Sequence, residues 1–334
     1  MVFSRRPGRG RLRWAHVRCL EEERTVLPMT VDPSKLEAWD RLRAGKSLDG
    51  LELKVRDDRI DLSGMELPAP TGGRQFKFDQ ARIMELECGN IIRGAKWKNI
   101  DLTGSKLAGL RLLDCEIENC CFDECQLQDL RMWATSTSDT SFRSADLRKG
   151  ALGGVENGKR NVFLRVDFTC ADLRKTMYTA AAFDQCLFRN AKLEKIDFQT
   201  STFSECQFEG ELSDVLFYRR AFNGDQFPQN EMTNVDFTRA KLRHVEFRGL
   251  TLERVRLPEN SEHVIIYNYA VTLNKVIADL LQRPDVASRK LLAYLSVIRK
   301  WATPMQVRGV LNLGDIADNA GAEGLRVFHE LLAE

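Results

Sequence analysis

Long apolar runs are absent from this 334-residue chain. No segment approaches the roughly 18 apolar residues of a membrane-spanning helix, so we expect no membrane insertion. Residues 1–28 hold seven Arg and three acids but lack the apolar stretch of a secretory signal. We therefore interpret the chain as cytoplasmic. Residues 1–31 are expected to be a basic, disordered extension, with two alternatives: Met29 as the true start, or an arm that touches nucleic acid.

Catalytic signatures are also missing from the sequence. Its four histidines stand in four different contexts, and it contains no GxSxG, P-loop, GxGxxG or HExxH motif. We therefore predict that the chain is not an enzyme and that it has no catalytic residues and no cofactor. Four of the nine cysteines fall within residues 115–125, but no CxxC pair is present. Packing is a better interpretation of these thiols than a metal site.

Charge of one sign is not in excess over most of the chain. Residues 76–257 carry 27 basic and 27 acidic side chains. Because this segment has no net charge, it does not attract nucleic acid over long range, and we expect no direct nucleic-acid binding from it. Residues 111–130 are locally acidic, with six acids and one Arg.

A five-residue period is what the sequence has in abundance. Between residues 163 and 208 every fifth residue is large and apolar, and a small or branched residue stands two positions before each of the last nine. This period fits neither a helix nor a simple strand, so it indicates a repeat architecture. The large residues are Phe163, Phe168, Leu173, Tyr178, Phe183, Phe188, Leu193, Phe198, Phe203 and Phe208.

The period runs in three long blocks, over residues 92–152, 163–208 and 217–257, and its phase slips between them. If every fifth side chain points inward, four units complete a square coil. Residues 20 apart then stack at the spacing of strands, about 4.8 Å. Phe163, Phe183 and Phe203 are predicted to form one column of the core, and Phe222 and Phe227 are assigned inward positions in the third block.

Several units resemble the pentapeptide-repeat motif A(D/N)LXX: SADLRKG (144–150), CADLRKT (170–176), NAKLEKI (190–196) and RAKLRHV (239–245). The resemblance implies a right-handed quadrilateral β-helix. Well-known members of that family protect or inhibit DNA gyrase by imitating DNA, and others are interaction modules or secreted effectors. The family offers no catalytic residues to carry over.

The ends of the repeat have a different pattern. Residues 32–45 read as a short helix with Asp32 as its N-cap, Pro33 in the first turn and Gly45 at its end. We expect a mainly β protein with an N-terminal cap (32–59), a β-helix (60–258) and a helical C-terminal domain (259–334). Apolar residues on more than one face of 286–302 favour bundle packing, with a homodimer through these helices as the alternative.

The second phase break offers a candidate binding site. Arg220, Asp225 and Asn230 are polar residues at positions that should point inward, which would cost about 1–3 kcal/mol each without partners. The segment 218–230 is therefore predicted to distort the coil or to leave it as a loop, and loops on rigid scaffolds often carry function. A tolerated insertion is the alternative. The break at 153–162 reads as a plain loop. The candidate partner-binding residues are Tyr218, Arg219, Arg220, Asp225 and Gln226.

These observations predict a non-catalytic bacterial scaffold or adaptor that binds a protein partner through its β-helix faces and C-terminal helices. The alternative is a DNA-mimicking modulator of DNA gyrase or topoisomerase. That reading needs a continuous negative face, which the neutral repeat does not supply. A secreted effector is a weaker alternative.

Overall fold

The computed structural model describes residues 32–66, 91–220 and 227–333. These residues belong to one compact unit, Asp32–Glu334. The predictions about the basic extension 1–31 and the inward position of Phe222 lie outside the described residues.

Short strands dominate the middle of the chain. The first nine are β1 (Val55–Arg56), β2 (Arg59–Asp61), β3 (Ile91–Arg93), β4 (Lys96–Lys98), β5 (Ile100–Asp101), β6 (Arg111–Leu113), β7 (Glu116–Glu118), β8 (Arg131–Trp133) and β9 (Ser136–Ser138). The next eleven are β10 (Val155–Glu156), β11 (Lys159–Arg160), β12 (Val162–Leu164), β13 (Ala182–Asp184), β14 (Leu187–Arg189), β15 (Leu193–Phe198), β16 (Thr202–Ser204), β17 (Gln207–Tyr218), β18 (Val235–Arg243), β19 (Glu246–Arg248) and β20 (Val255–Arg256).

Helices stand at both ends of this strand-rich region. The first is α1 (Pro33–Arg43). The C-terminal part contains β21 (His263–Tyr267), α2 (Tyr269–Leu281), α3 (Val286–Trp301), β22 (Arg308–Asn312) and α4 (Leu313–Ala333), the last kinked at Gly321. No helix in the described part of the chain is both long and apolar enough to cross a bilayer.

Parallel pairing at a 20-residue offset confirms the β-helix solenoid. Ile91 pairs with Arg111, and Arg111 pairs in turn with Arg131. A second sheet stacks six strands in the order β16-β13-β12-β9-β7-β4. Each regular coil therefore contains four five-residue units, as the sequence period predicts.

The large residue of each unit points inward and stacks on its equivalent in the next coil. Phe163, Phe183 and Phe203 form the predicted column, with successive ring centroids 5.0 and 5.1 Å apart. A longer column holds Phe122, Phe142, Phe168, Phe188, Phe208 and Phe237. Burial of each such side chain contributes about 1.5–3 kcal/mol.

The corners of the coil use a left-handed residue two positions after the large one. Asn99, Asp114 and Asn119 have φ values of 56, 51 and 50°. Asn and Asp tolerate this conformation better than most residues, which accounts for their frequency at this phase. The left-handed position recurs every five residues through the regular coils.

Three departures from the regular offset of one coil interrupt the β-helix, and the first two are the phase slips. Ser136 pairs with Val162, which lies beyond one regular coil because a segment is inserted between the two coils. Leu193 pairs with Leu212, which is one residue short of a full coil. Leu212 pairs with Leu242, again beyond one regular coil. The inward position predicted for Phe227 is wrong, because this residue lies in the second inserted segment and its side chain is partly exposed.

The C-terminal region is less helical than the sequence suggests. Residues 262–267 were expected to begin a helix, but β21 is a strand that pairs antiparallel with β22. Ile266 is buried in the core of the helices, and Val264 packs against that core. The helices α2, α3 and α4 share one core, and Leu291 and Leu295 of α3 are fully buried in it. Among the described residues, the apolar faces of α3 are thus covered largely by its own bundle.

The helix α1 begins and ends as predicted. The Asp32 carboxylate accepts a hydrogen bond from Ser34 N at 2.9 Å, and Gly45 follows the helix with φ 64°. Trp39 packs on Trp97 of the coil, with ring centroids 5.6 Å apart. Leu36 of the same helix is 45% exposed.

Candidate functional site

The first inserted segment leaves the coil as a small hairpin. Strands β10 and β11 pair antiparallel, with Val155 opposite Arg160. Gly154, at the base of the hairpin, has φ 152° and lies against Trp133: a Cβ there would come within 2.7 Å of the indole. The sequence predicts a plain loop over 153–162, whereas the structure forms an ordered hairpin whose base is fixed on an aromatic ring.

The second inserted segment also has a closed base. The chain leaves the coil at Arg219 and returns at Asn230, whose N–H donates to the Arg219 carbonyl at 2.9 Å. The Arg219 guanidinium pairs with Glu231 at 3.0 Å across the same base. A closed base at Arg219 and Asn230 is what a loop leaving the coil requires, which is one of the two outcomes predicted for 218–230.

An asparagine closes the coil where each insertion ends. Asn161 accepts a hydrogen bond from Thr135 N at 2.9 Å and donates to Met132 O at 2.7 Å. Asn230 accepts from Phe203 N and donates to Tyr218 O, both at 3.2 Å. Both side chains are buried. They bond to backbone groups beside the points where the extra residues interrupt the coil, so their burial does not carry the cost that the sequence analysis attached to Asn230.

Both insertions leave the β-helix at the same corner. The corner lies just before the six-stranded sheet, and its successive coils contribute Thr135, Asn161, Ala181, Ser201 and Asn230. Val162 N donates to Thr135 O, Ala182 N to Asn161 O, and Thr202 N to Ala181 O, so these coils are directly stacked. The bridge between Ser204 and Thr233 continues the stack across the second insertion. We call this edge the insertion corner.

The two insertions touch each other. The guanidinium of Arg160, in the hairpin, lies 5.3 Å from the ring centroid of Phe227, in the second insertion. One nitrogen of this guanidinium is buried and has no hydrogen-bond partner among the described residues. Burial also lowers the pKa of Arg160. The described parts of the hairpin and the loop therefore lie against each other, and we call them together the insertion ridge (153–160, 219–220 and 227–230).

The predicted partner-binding residues fall into three groups. Arg219 and Arg220 lie at the base of the loop, and Arg220 is exposed. Asp225 and Gln226 lie outside the described residues. Tyr218 corrects the sequence analysis, because it belongs to strand β17 and its side chain is only 6% exposed.

Tyr218 is buried because it takes part in a junction with the C-terminal helices. The Arg248 guanidinium lies over the Tyr218 ring at 5.2 Å and over the Trp301 ring at 4.3 Å. It also donates to the Tyr218 hydroxyl at 2.8 Å and pairs with Glu246 at 2.7 Å. The sequence did not predict this junction, because the spacing of these residues does not indicate that α3 ends against the coil.

Charges on the coil surface are paired between neighbouring coils. Within the acidic stretch, Glu116 and Glu118 pair with Lys96 and Lys98, at 2.9 and 2.8 Å. Asp114 pairs with Lys159 of the hairpin at 2.9 Å. Asp129 pairs with two arginines, Arg111 and Arg131. Four of the six acids in 111–130 therefore have a cationic partner, which weakens the local negative field.

The cysteine cluster behaves as part of the core. Cys115, Cys120 and Cys125 are buried, and burial raises the pKa of the latter two thiols to about 12. A thiol metal ligand must be deprotonated, so this environment opposes metal binding. Cys121 points outward, and its sulfur lies 3.2 Å from the Thr103 hydroxyl.

One group of side chains has the spacing of metal ligands in the described part of the molecule. Single ligand atoms of His244, Asp315 and Asp318 lie within 4.8 Å of one another. However, Arg243 Nε is 3.0 Å from Asp315 Oδ1, and the same guanidinium pairs with Asp318. His244 N–H also donates to Asp315 Oδ2 at 2.7 Å. This arrangement fits a clamp between α4 and the last coil better than a cation site.

A cavity of about 120 Å³ lies between the last coil and the C-terminal helices. Its lining includes Phe247, Tyr269, Tyr294 and Trp301, together with the buried Gln306. The lining side chains come from the elements that make the junction.

Comparison with known proteins gives a likeness of fold only. No family model matches the chain, and no curated protein matches it. Trypsin-treated QnrB1, a plasmid-mediated fluoroquinolone resistance protein, is 17% identical, with 47% of this chain and 81% of that chain covered and a TM-score of 0.26. HetL, a pentapeptide repeat protein from the cyanobacterium Nostoc sp., is 16% identical, with 51% and 84% covered and a TM-score of 0.18. Rfr23, from the cyanobacterium Cyanothece, is 12% identical, with 35% and 86% covered and a TM-score of 0.20.

The chain has a β-helix solenoid, as the five-residue period of its sequence predicts. In the regular coils, parallel strands stack at 20-residue intervals.

Proposed function

We propose that this chain is a non-catalytic scaffold or adaptor that binds another protein through the insertion ridge, with the C-terminal helices as a second surface. The observation that carries the proposal is the convergence of the two insertions at one corner, where Arg160 and Phe227 meet. Irregular segments on a rigid framework are common binding elements. The stacked aromatic columns supply that framework.

On the rest of the coil surface, paired charges favour partner binding by shape complementarity rather than by long-range electrostatic attraction. Ion pairs between coils, such as Arg165 with Asp139 at 2.6 Å, neutralise much of the exposed charge. The ridge instead presents exposed or partly exposed groups of mixed character: Val155, Arg220, Phe227, Pro228 and Gln229. A mixed apolar and polar patch of this kind suits a protein partner.

The finer architecture is part of the same proposal. We propose a right-handed, four-sided coil over 60–258, capped by α1 at its N-terminal end and followed by a C-terminal domain over 259–334. The packing of Trp39 on Trp97 supports the cap. A bacterial, cytoplasmic setting is also proposed, in keeping with the free thiols of the described cysteines.

The alternative, a DNA-mimicking modulator of gyrase, draws support only from the acidic stretch 111–130. Because most carboxylates there are paired with Lys or Arg, a continuous negative stripe is not favoured. A supercoiling assay separates the alternatives: the scaffold proposal predicts no effect of the purified chain on gyrase. A secreted effector would need a catalytic group, and we propose none.

Site-specific photo-crosslinking tests the ridge directly. A photoreactive residue is placed at Arg220 in the ridge or, as the matched control, at Lys96 on the flat six-stranded sheet. Both positions are exposed, and the Lys96 side chain is 74% exposed. We expect one discrete crosslinked protein from position 220 and none from position 96. Equal crosslinking from both positions, or none from either, would contradict the proposal.

A further inference from the structure

Among the described residues, no strand pairs with one edge of β21. It pairs on one side with β22, where Leu313 N donates to Glu262 O at 2.9 Å and Asn268 N donates to Val307 O at 2.8 Å. Antiparallel ladders alternate, so the even-numbered residues of β21 direct their backbone groups toward β22. The odd-numbered residues, His263, Ile265 and Tyr267, direct theirs toward the open side.

Two of the six outward backbone groups have internal partners. His263 N–H donates to Asn260 O at 3.3 Å, and the Tyr267 carbonyl accepts from the Thr272 hydroxyl at 2.9 Å. Four groups have no partner anywhere in the described residues: the His263 carbonyl, both groups of Ile265, and the Tyr267 N–H. Along the strand, His263 thus offers an acceptor, Ile265 a donor and an acceptor, and Tyr267 a donor. A two-fold rotation about Ile265 brings each donor opposite an acceptor.

We infer that β21 pairs antiparallel with β21 of a second copy of this chain, across a two-fold axis at Ile265. The two Ile265 residues exchange two hydrogen bonds. The His263 carbonyl accepts from Tyr267 N–H of the second copy, and the reciprocal bond completes four. Two β21–β22 hairpins then form one four-stranded sheet. A two-fold interface needs a self-complementary surface, and this edge has one. The inference is independent of the proposed scaffold function.

The side chains of the edge also favour a covered position. Natural sheets protect open edges with Lys, Pro or other charges, and the sequence of β21, HVIIY, contains none of them. Apolar side chains surround the end of the strand: Tyr267 is 66%, Val271 67% and Val307 46% exposed. A second copy of β21 would cover part of this surface.

Substitutions at Ile265 test the pairing in the full-length chain. Ile265→Pro removes the outward N–H, which β22 does not use, and proline is tolerated on edge strands in that orientation. Ile265→Lys places two like charges opposite each other. Val286→Lys, at an exposed position that starts α3, is the control. We expect a dimer by sedimentation equilibrium for the parent and for Val286→Lys, and folded monomers for both Ile265 variants.

Amide hydrogen exchange on the parent chain avoids any folding defect of the variants. Exchange at Ile265 and Tyr267 should slow as the protein concentration rises, whereas exchange at Val264 and Ile266 should be slow at every concentration. A parent chain that is monomeric at all concentrations overturns the inference. So does a dimer that survives both Ile265 variants, or one that forms without concentration-dependent protection of Ile265.

Discussion

Some buried polar side chains in this coil form hydrogen bonds with backbone groups, and others have no hydrogen-bond partner among the described residues. The Thr140 hydroxyl donates to Ser138 O at 2.8 Å and accepts from Cys120 N at 3.3 Å. The Thr137 hydroxyl is equally buried, but no hydrogen-bond partner reaches it within the described residues. An unpaired buried hydroxyl costs about 1–3 kcal/mol, whereas a paired one is close to neutral.

This difference predicts opposite effects of the same substitution. Thr137→Val removes the unpaired hydroxyl while keeping the shape of the side chain, so the free energy of unfolding should rise by about 1 kcal/mol. Thr140→Val leaves Cys120 N–H unpaired and should lower that free energy by a similar amount. Urea denaturation of both variants measures the effect. A loss of stability in Thr137→Val as large as that in Thr140→Val would contradict the assignment.

The two buried asparagines hold the coil closed at the insertions. Asn161→Ala would leave Thr135 N–H and Met132 C=O without partners, and we expect a loss of about 1–3 kcal/mol for each group left unpaired. Asn230→Ala should be comparable, because it also removes bonds to two separate segments. Gln229→Ala, at an exposed neighbouring position, is the control and should change the unfolding midpoint little. A matching loss in the control would assign the effect to the loop in general.

His263 makes stability depend on pH. Its Nε2 accepts from Leu242 N at 3.0 Å, and its Nδ1 lies 2.8 Å from Asn260 Oδ1, so the neutral ring is the bonded form. Burial lowers its pKa below the ordinary value of 6.5, although Glu262 opposes the shift and Lys241 adds to it. The unfolded chain therefore binds more protons below about pH 6.5, and stability should fall as the pH drops from there toward the folded-state pKa. Thermal melts from pH 7.5 to 5 should show less of this slope in His263→Gln than in the parent.

At the scale of elements, the strand register determines which deletions the coil can tolerate. The hairpin adds six residues to its coil, since the register passes from Glu116 to Ser136 in a regular coil and from Ser136 to Val162 in the interrupted one. Deletion of the six residues 155–160 should restore a regular coil and leave a folded protein. Deletion of five, residues 155–159, should be strongly destabilising, because it shifts the inward phase by one position. Circular dichroism and melting of the two variants compare them, and equal stability would contradict the register.

The sequence predicts the coil well because its signal is local. A large residue every five positions has one consistent inward face, and Phe163, Phe183 and Phe203 stack as that pattern requires. Strand β21 was missed because its apolar residues run directly into the helical pattern of α2. Only the pairing with β22, which follows α2 and α3 in the chain, distinguishes the strand from a helix. Tyr218 was misjudged for the same reason, since its burial depends on Arg248 and Trp301.

At the scale of the whole molecule, predicting the insertion ridge from the sequence requires the number of coils between the two insertions. The segments 153–160 and 219–230 are far apart in sequence, and the one-residue slip between Leu193 and Leu212 obscures the count. The two buried asparagines are the signal that the sequence does carry, because each is a polar residue at an inward position. Read together, Asn161 and Asn230 would have indicated that both insertions begin from the same corner.

The most direct test of the scaffold account is affinity capture with the parent chain and with the variant that lacks residues 155–160. The deletion removes half of the ridge, including Arg160, but should preserve the coil. The account predicts that a partner captured by the parent is lost from the variant, while both chains melt at similar temperatures. Retention of the same partner by the folded variant would contradict the central claim that the ridge is the binding surface.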